Sequence, residues 1–137
     1  MKPTLQPGLA AEASFEIDRD RTIDFMGEAA RVYATPVLVR DIEMTCRRLL
    51  LEHLDAGEDS VGTRVEIDHI GATLLGMRVT LTVRIAEVSG RAVVFEVEGR
   101  DTVEPIVRGK HSRFVVDVAK TAQRLAAKAE KAKATKG

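Results

Sequence analysis

The chain has 137 residues and a formal net charge of zero, with 45% hydrophobic and 31% charged residues, a balance that predicts one globular domain and excludes a disordered chain. No tryptophan and only one tyrosine are present, so we expect no specific binding of nucleic acid by base stacking. The single cysteine, Cys46, excludes an intramolecular disulfide, and no apolar run is long enough to cross a membrane, so we expect a cytoplasmic protein without membrane contact.

The first part of the chain is predicted to contain an irregular arm, one strand and a segment of undecided structure. Residues 1–12 hold Pro3 and Pro7 and show no periodicity, which is typical of an irregular arm. Alternation of apolar and polar residues from Ala13 to Asp18 predicts a first strand. Residues 22–31 fit either a short helix or a structured loop.

The clearest predicted element is a helix over residues 36–53. Pro36 fits the first helical position, where its missing N–H costs nothing, and Thr35 stands where an N-cap belongs. Apolar residues form one stripe along this helix, which predicts that a sheet covers it. The stripe consists of Leu38, Ile42, Cys46, Leu49 and Leu50, and it is widened by Val39 and Met44.

A polar loop follows the helix, and four strands are predicted after it. Alternating patterns place these strands at residues 61–71, 77–88, 91–103 and 106–118. The tail, residues 120–137, is rich in alanine and lysine, and its composition predicts a basic helix or a frayed tail.

The order of these elements predicts an α+β protein with the hot-dog fold. An antiparallel sheet of about five strands wrapped around one apolar helix is the economical way to bury both surfaces. We expect a single domain over residues 1–119, with the basic tail outside it. Because a lone sheet leaves an edge strand open, we also expect a homodimer, with a dimer of such dimers as an alternative.

Three polar residues are candidates for chemistry, although each of them alone has an ordinary structural explanation. His69 lies on the inward side of its strand by alternation, which suits a core histidine bonded to a carbonyl. Glu43 suits a surface carboxylate paired with an arginine three or four residues away on its helix. Thr35 suits a helix cap without any chemical role.

Together with the segments around them, these residues resemble the fluoroacetyl-CoA thioesterase family. The spacings from Thr35 to Glu43, from Glu43 to His69 and from Gly62 to His69 agree at once, and the resemblance covers roughly residues 12–125. The segments that carry it are Tyr33-Ala34-Thr35, Gly62-Thr63, residues 65–73 (VEIDHIGAT), residues 75–80 (LGMRVT) and residues 109–113 (GKHSR).

The resemblance implies an enzyme that cleaves an acyl-CoA thioester with Thr35, Glu43 and His69. It implies that Glu43 activates water or attacks the carbonyl carbon itself, and that His69 moves protons and helps to stabilise the oxyanion. Thr35 is expected to position the acyl group and the carboxylate. Gly62 matches a glycine that lets the substrate approach the backbone closely, and Arg113 matches an arginine near the acyl pocket.

The sequence departs from the family pattern in the segment before Tyr33, where phenylalanines are expected to form a hydrophobic lid. Residues 25–31 hold one phenylalanine, so we expect a generic short acyl-CoA substrate and not fluoroacetyl-CoA. Coenzyme A is part of that substrate, and we expect no separate cofactor. We expect no metal either, because the three histidines lack a liganding spacing.

The sequence leaves two other functions open. A non-catalytic acyl-CoA-binding module would keep the fold while Glu43 and His69 served as surface charge or packing. A hot-dog hydratase or dehydratase would need a histidine and a carboxylate placed for proton abstraction, and the usual D-x-x-x-x-H pattern of that branch is absent. The basic tail also has two interpretations, a solvated helix or a segment that binds phosphate groups.

Overall fold

Five antiparallel strands lie against one long helix in the computed structural model, which describes residues 1–135. The strands are β1 (Ala10–Glu16), β2 (Glu58–His69), β3 (Arg78–Ser89), β4 (Ala92–Arg100) and β5 (Pro105–Asp117). The helices are α1 (Thr35–Leu51), which connects β1 to β2, and α2 (Val118–Thr135), which follows β5. Two short 3₁₀ turns, Arg19–Arg21 and Glu28–Ala30, lie between β1 and α1.

The strand order across the sheet is β1-β3-β4-β5-β2, and every neighbouring pair is antiparallel. β1 and β2 therefore form the two edges of the sheet. This is the hot-dog arrangement that the order of elements predicts, and the predicted fold class is confirmed. Helix α1 packs against β2, the next strand along the chain, and the outer side of this edge strand has no partner in the described chain.

The core forms where the stripe of α1 meets the inward residues of the sheet. The apolar stripe predicted for the helix is buried, since its residues recur at helical spacing and face the same side. Alternation in β3 sends every second side chain to that core, and these four residues are fully buried. They are Val79, Leu81, Val83 and Ile85.

The ends of several elements differ from the prediction. β1 begins at Ala10, so the end of the predicted arm belongs to the sheet. The undecided segment at residues 22–31 is a loop that contains one 3₁₀ turn. α1 begins at Thr35, so the prediction that Thr35 is the N-cap is wrong. Ala34 holds that position, and because alanine has no polar side chain, no side chain caps the helix. The Thr35 hydroxyl bonds to another residue.

α2 has no buried residue, because its alanines and lysines favour a helix but give it no broad apolar face. It begins at Val118, directly after β5, and so extends the predicted basic tail by two residues toward the sheet. Within residues 1–135, no helix combines the length and the apolar character needed to cross a membrane.

Helix α1 is buried on one side and α2 is exposed, so substitutions in the two helices should differ in their effect on the free energy of unfolding. Ile42 of α1 is fully buried, so Ile42→Ala should lower the free energy of unfolding by about 2–5 kcal/mol through lost burial and a cavity. Leu125 of α2 is exposed, and Leu125→Ala should change it by about 0.5 kcal/mol or less. Urea unfolding at one protein concentration measures both. Equal losses in the two variants would contradict this picture of the core.

Candidate active site

Thr35 and His69 meet at the point where α1 begins and β2 ends. Thr35 is the first residue of α1 and His69 the last residue of β2. Thr35 Oγ1 lies 2.7 Å from His69 Nδ1, which is hydrogen-bond distance. The chain therefore brings together two of the three residues that the resemblance implies for the reaction.

The surroundings of His69 favour its neutral ring. Burial lowers the pKa of His69, and the nearby Gly71 backbone opposes that shift. Nε2 is buried and makes no hydrogen bond with the described residues. Nδ1 shares a hydrogen bond with the Thr35 hydroxyl, which donates when the ring proton is on Nε2 and accepts when it is on Nδ1.

Tyr33 ties the start of α1 to the loop after β2. Its backbone N–H donates to the Thr73 carbonyl at 2.8 Å, and Thr73 Oγ1 donates to the buried Asp101 carboxylate at 3.0 Å. The Tyr33 hydroxyl donates to Asp41 of α1, and the edge of the Tyr33 ring packs against the His69 ring. These bonds fix the segment that carries Thr35 against the segment that carries His69.

A cavity of about 320 Å³ opens beside the Thr35–His69 pair. Its lining is mainly apolar, with the hydroxyl and the imidazole in one wall. Phe25, the one phenylalanine of the predicted lid segment, lines this cavity and is 78% exposed. The other lining residues are Ile23, Val32, Tyr33, Ile70, Gly71 and Ala72.

Glu43 lies in a second cluster, two turns further along α1. One of its carboxylate oxygens, Oε1, lies 3.9 Å from Arg113 Nη1 and 4.0 Å from His111 Nε2. The same oxygen sits directly over Gly62, where a Cβ atom would overlap it. Gly62 is therefore needed for the approach of the Glu43 carboxylate, a reason that differs from the predicted approach of substrate to the backbone.

Arg113 is buried and firmly held under Glu43. Its Nε donates to Ser60 Oγ and its Nη2 to the Ser60 carbonyl, both at 2.8 Å, and Nη1 lies 3.2 Å from His111 Nε2. Burial lowers the pKa of Arg113, and the Glu43 carboxylate opposes this shift. A guanidinium of such high intrinsic pKa stays charged, so Glu43 faces a fixed positive charge.

The structure thus divides the predicted site residues into two clusters. Thr35 and His69 form the first, and Glu43, Gly62 and Arg113 form the second. Eight residues separate Thr35 from Glu43 on α1, which corresponds to about 12 Å along the helix axis. A single chain therefore does not gather all three predicted reactive residues at one point.

The sequence reasoning missed His111 and Ser60, which complete the second cluster. The sequence gives little indication of these two residues. The one hint is the even spacing between His111 and Arg113, which puts both side chains on the inner side of β5. In the described part of the chain, Glu43 forms no ion pair with an arginine of its own helix. Arg47 of that helix forms a bidentate ion pair with Asp59 instead. Among residues 1–135, no group of three or more metal-binding side chains occurs.

The fold and the two clusters define a class of proteins. A thioesterase superfamily member from Thermus thermophilus has a similar structure, with a TM-score of 0.87, 26% identity and coverage of 96% of this chain and 98% of that one. The solved structure of a fluoroacetyl-CoA thioesterase, FlK, gives a TM-score of 0.83 at 28% identity and covers 90% of this chain and 97% of its own. This chain is a hot-dog-fold member of the thioesterase superfamily.

The family within that class follows from the sequence. The family model for the fluoroacetyl-CoA-specific thioesterase (FlK) matches residues 17–119. The fluoroacetyl-CoA thioesterase of Streptantibioticus cattleyicolor is 36% identical over 93 residues, which cover 68% of this chain and 67% of that protein. The chain belongs to the fluoroacetyl-CoA-specific thioesterase family, and the predicted membership is confirmed. It is therefore a thioester hydrolase.

The buried His111 and the partly buried His69 predict a loss of stability in mild acid. Burial lowers the pKa of His69 and of His111 in the folded chain, whereas unfolded histidine binds a proton near pH 6.5. The unfolded state therefore binds more protons below that pH. The free energy of unfolding should be fully retained above about pH 6.5 and should fall as the pH drops toward the lowered pKa values.

Urea unfolding between about pH 7 and pH 5, above the range of most carboxylates, measures this effect. The matched variant is His111→Gln, which has one buried titrating ring fewer. Its stability should fall less steeply, by at most about 1.4 kcal/mol per pH unit. Identical slopes for the two proteins would mean that His111 does not stay neutral on folding.

Proposed function

We propose that this chain hydrolyses a short acyl-CoA thioester and that Thr35, Glu43 and His69 act on it. The observation that carries the proposal is the 2.7 Å contact between Thr35 and His69 in the wall of an apolar cavity. A hydroxyl that donates to a neutral imidazole supplies a polarised oxygen and a proton acceptor beside a space for an acyl group. Family membership supports the same reaction type.

The start of α1 suits the charge that develops during the reaction. First-turn N–H groups of a helix have no acceptor within the helix, and no side chain caps α1. These groups and the helix dipole favour negative charge next to Thr35. A thioester carbonyl oxygen bound there would be stabilised as its carbon becomes tetrahedral.

Glu43 supplies the carboxylate of the proposed reaction. Its side chain is 33% exposed, and no hydrogen bond with the described residues ties up its oxygens. It either takes a proton from the attacking water or attacks the carbonyl carbon first and is then released by water. In both routes the carbon–sulfur bond breaks and His69 passes a proton to the departing sulfur. The water that adds to the acyl carbon replaces that proton by way of Glu43, so both side chains return to their starting states and the products are the carboxylic acid and coenzyme A.

The cavity beside Thr35 and His69 favours a short, apolar acyl group. Its volume of about 320 Å³ lies at the small end of the range for ligand pockets. Phe25 lies mostly in solvent at its rim and does not close it with other phenylalanines. A site without a phenylalanine lid offers no special recognition of fluorine, so we propose ordinary short acyl-CoA thioesters as substrates.

We further propose that the chain works as a homodimer whose sites are shared between subunits. The outer edge of β2 carries unpaired backbone groups, and Val61 and Val65 on this strand are 47% and 40% exposed. Alternation predicted an inward, buried Val65, and its exposure is unusual for a strand that packs against a helix. An open edge of this kind is a template for pairing with another strand.

Pairing of two β2 edges would join the two clusters. In antiparallel pairing centred on Glu66, the bulge between Gly62 and Arg64 would bring Gly62 close to the partner's His69 on the same face of the joined sheet. Glu43, which sits over Gly62, would then face the Thr35–His69 pair of the other subunit. Thr35 and Glu43 of one chain are separated by about 12 Å along the helix. In this assembly each Glu43 would instead act with the Thr35 of the other subunit.

Release of coenzyme A from a panel of acyl-CoA thioesters tests the proposed reaction. The wild-type protein should hydrolyse acetyl-, propionyl- and butyryl-CoA faster than octanoyl-CoA. Glu43→Gln and His69→Ala should each lower kcat by about 10²–10⁴-fold, the usual contribution of a group that transfers protons. The exposed Glu52, at the end of the same helix, provides a control, and Glu52→Gln should keep the wild-type rate.

Other outcomes of this assay distinguish the alternatives. Tight binding of acyl-CoA without release of coenzyme A would identify a non-catalytic binding module. Addition of water across an enoyl-CoA double bond, with the thioester intact, would identify a hydratase. Normal rates in folded Glu43→Gln and His69→Ala proteins would refute the roles assigned to these residues.

Mixed dimers test whether the sites are shared. When differently tagged Glu43→Gln and His69→Ala chains are refolded together, each mixed dimer contains one complete site if the clusters come from different subunits. The mixture should regain about a quarter of wild-type activity, since half of the dimers are mixed and each has one of two sites intact. If each site lies within a single chain, the mixture should recover no activity. A monomeric mass by light scattering would refute the proposed dimer.

A further inference from the structure

His111 is a fully buried histidine that the proposed reaction does not use. Its Nδ1 lies 2.8 Å from the Arg64 carbonyl, and its ring stacks on Phe95 with the ring centroids 6.4 Å apart. A carbonyl oxygen only accepts hydrogen bonds, so Nδ1 carries the proton. Burial lowers the pKa of His111 and keeps the ring neutral, which leaves a lone pair on Nε2.

That lone pair points at one end of the Arg113 guanidinium. Ser60 accepts hydrogen bonds at 2.8 Å from Nε and from Nη2, which fixes one edge of the guanidinium. Two possible acceptors lie near the remaining nitrogen, Nη1. It donates to His111 Nε2 at 3.2 Å, and it lies 3.9 Å from Glu43 Oε1, beyond hydrogen-bond distance.

We propose that His111 is a positioning residue: its Nε2 lone pair holds the Arg113 guanidinium away from Glu43, so that the carboxylate stays free to act on the thioester. This inference rests on the proposed role of Glu43. Arg113 then places a positive charge beside the carboxylate without occupying its lone pairs.

The consequence of removing the His111 lone pair follows from the burial of Arg113. Arg113 is only 4% exposed, so an Nη1 hydrogen without an acceptor would carry a desolvation cost. Glu43 is the nearest acceptor, and a shift of about 1 Å would form a charge-assisted hydrogen bond. A carboxylate bound in this way has fewer lone pairs available for water or for the carbonyl carbon.

Gly62 makes this arrangement possible from the other side. A Cβ atom at position 62 would overlap the Glu43 carboxylate and would lie 3.2 Å from His111 Cε1. The carboxylate and the imidazole therefore share the space that a side chain would fill. The two groups flank Arg113 Nη1, and only His111 lies within hydrogen-bond distance of it.

The test compares His111→Met with His111→Gln, two side chains of equal length. Glutamine restores an acceptor oxygen near the position of Nε2, and methionine does not. His111→Met should lower kcat by about a hundredfold with little change in KM, the cost of misplacing a reacting group by about 1 Å. His111→Gln should recover most of that loss. Crystal structures should find Arg113 Nη1 at about 2.8 Å from Glu43 in the methionine variant only.

A control and a second variant keep the test decisive. Val83→Ala, in the core of β3, should lose stability without loss of kcat, which separates positioning from general destabilisation. If His111→Met does not fold, His111→Asn takes its place, since its shorter amide does not reach Arg113.

The remaining outcomes separate this inference from the proposed function. Equal kcat losses in the methionine and glutamine variants, with the Arg113–Glu43 distance unchanged, would overturn the positioning role and leave the reaction intact. Wild-type kcat in both variants, while Glu43→Gln is inactive, would do the same. A wild-type protein that hydrolyses no thioester would refute the proposed function, and the crystallographic distances would still test the restraint on Arg113.

Discussion

The antiparallel course of α1 along β2 is the constraint on which the rest of the structure depends. Three contacts follow one another along these two elements: Thr35 with His69, Glu43 with Gly62, and Arg47 with Asp59. Residue numbers rise on the helix as they fall on the strand. Because the apolar stripe on the opposite side of α1 is packed into the core, the helix cannot shift along the strand, and each of these side chains keeps one position.

Polar groups buried along this line are nearly all satisfied, which explains how charge is tolerated there. Arg113 loses its hydration but gains bonds to both oxygens of Ser60 and to His111. Asp101 is similarly buried and accepts two backbone N–H groups and the Thr73 hydroxyl. The exception is His69 Nε2, a buried nitrogen without a hydrogen-bond partner among residues 1–135. An unsatisfied polar atom beside a reactive pair is a feature that stability alone does not favour.

The sequence was sufficient for the features that depend on short-range periodicity. The stripe of α1, the alternation of β3 and the inward side of His69 follow from spacings of 3.6 and 2 residues, and they led to the fold class. The family resemblance selected Thr35, Glu43, His69, Gly62 and Arg113. The hydrogen bonds that these residues form were not predictable, because those from Thr35 to His69 and from Arg113 to Ser60 join residues 34 and 53 positions apart. Only the folded chain reveals that the selected residues fall into two clusters.

That division links the chemistry to the least protected part of the sheet. β2 carries both Gly62 and His69, and it is an edge strand with exposed valines. An open edge with apolar side chains is a liability for a monomer, and proteins usually blunt such edges with charge, proline, a bulge or a covering segment. β2 has a bulge between Gly62 and Arg64 and several charged residues, but no segment of residues 1–135 covers its outer edge. In the proposed dimer the same edge is covered and both sites are completed, so one interaction accounts for the exposed valines and for the distance between Thr35 and Glu43.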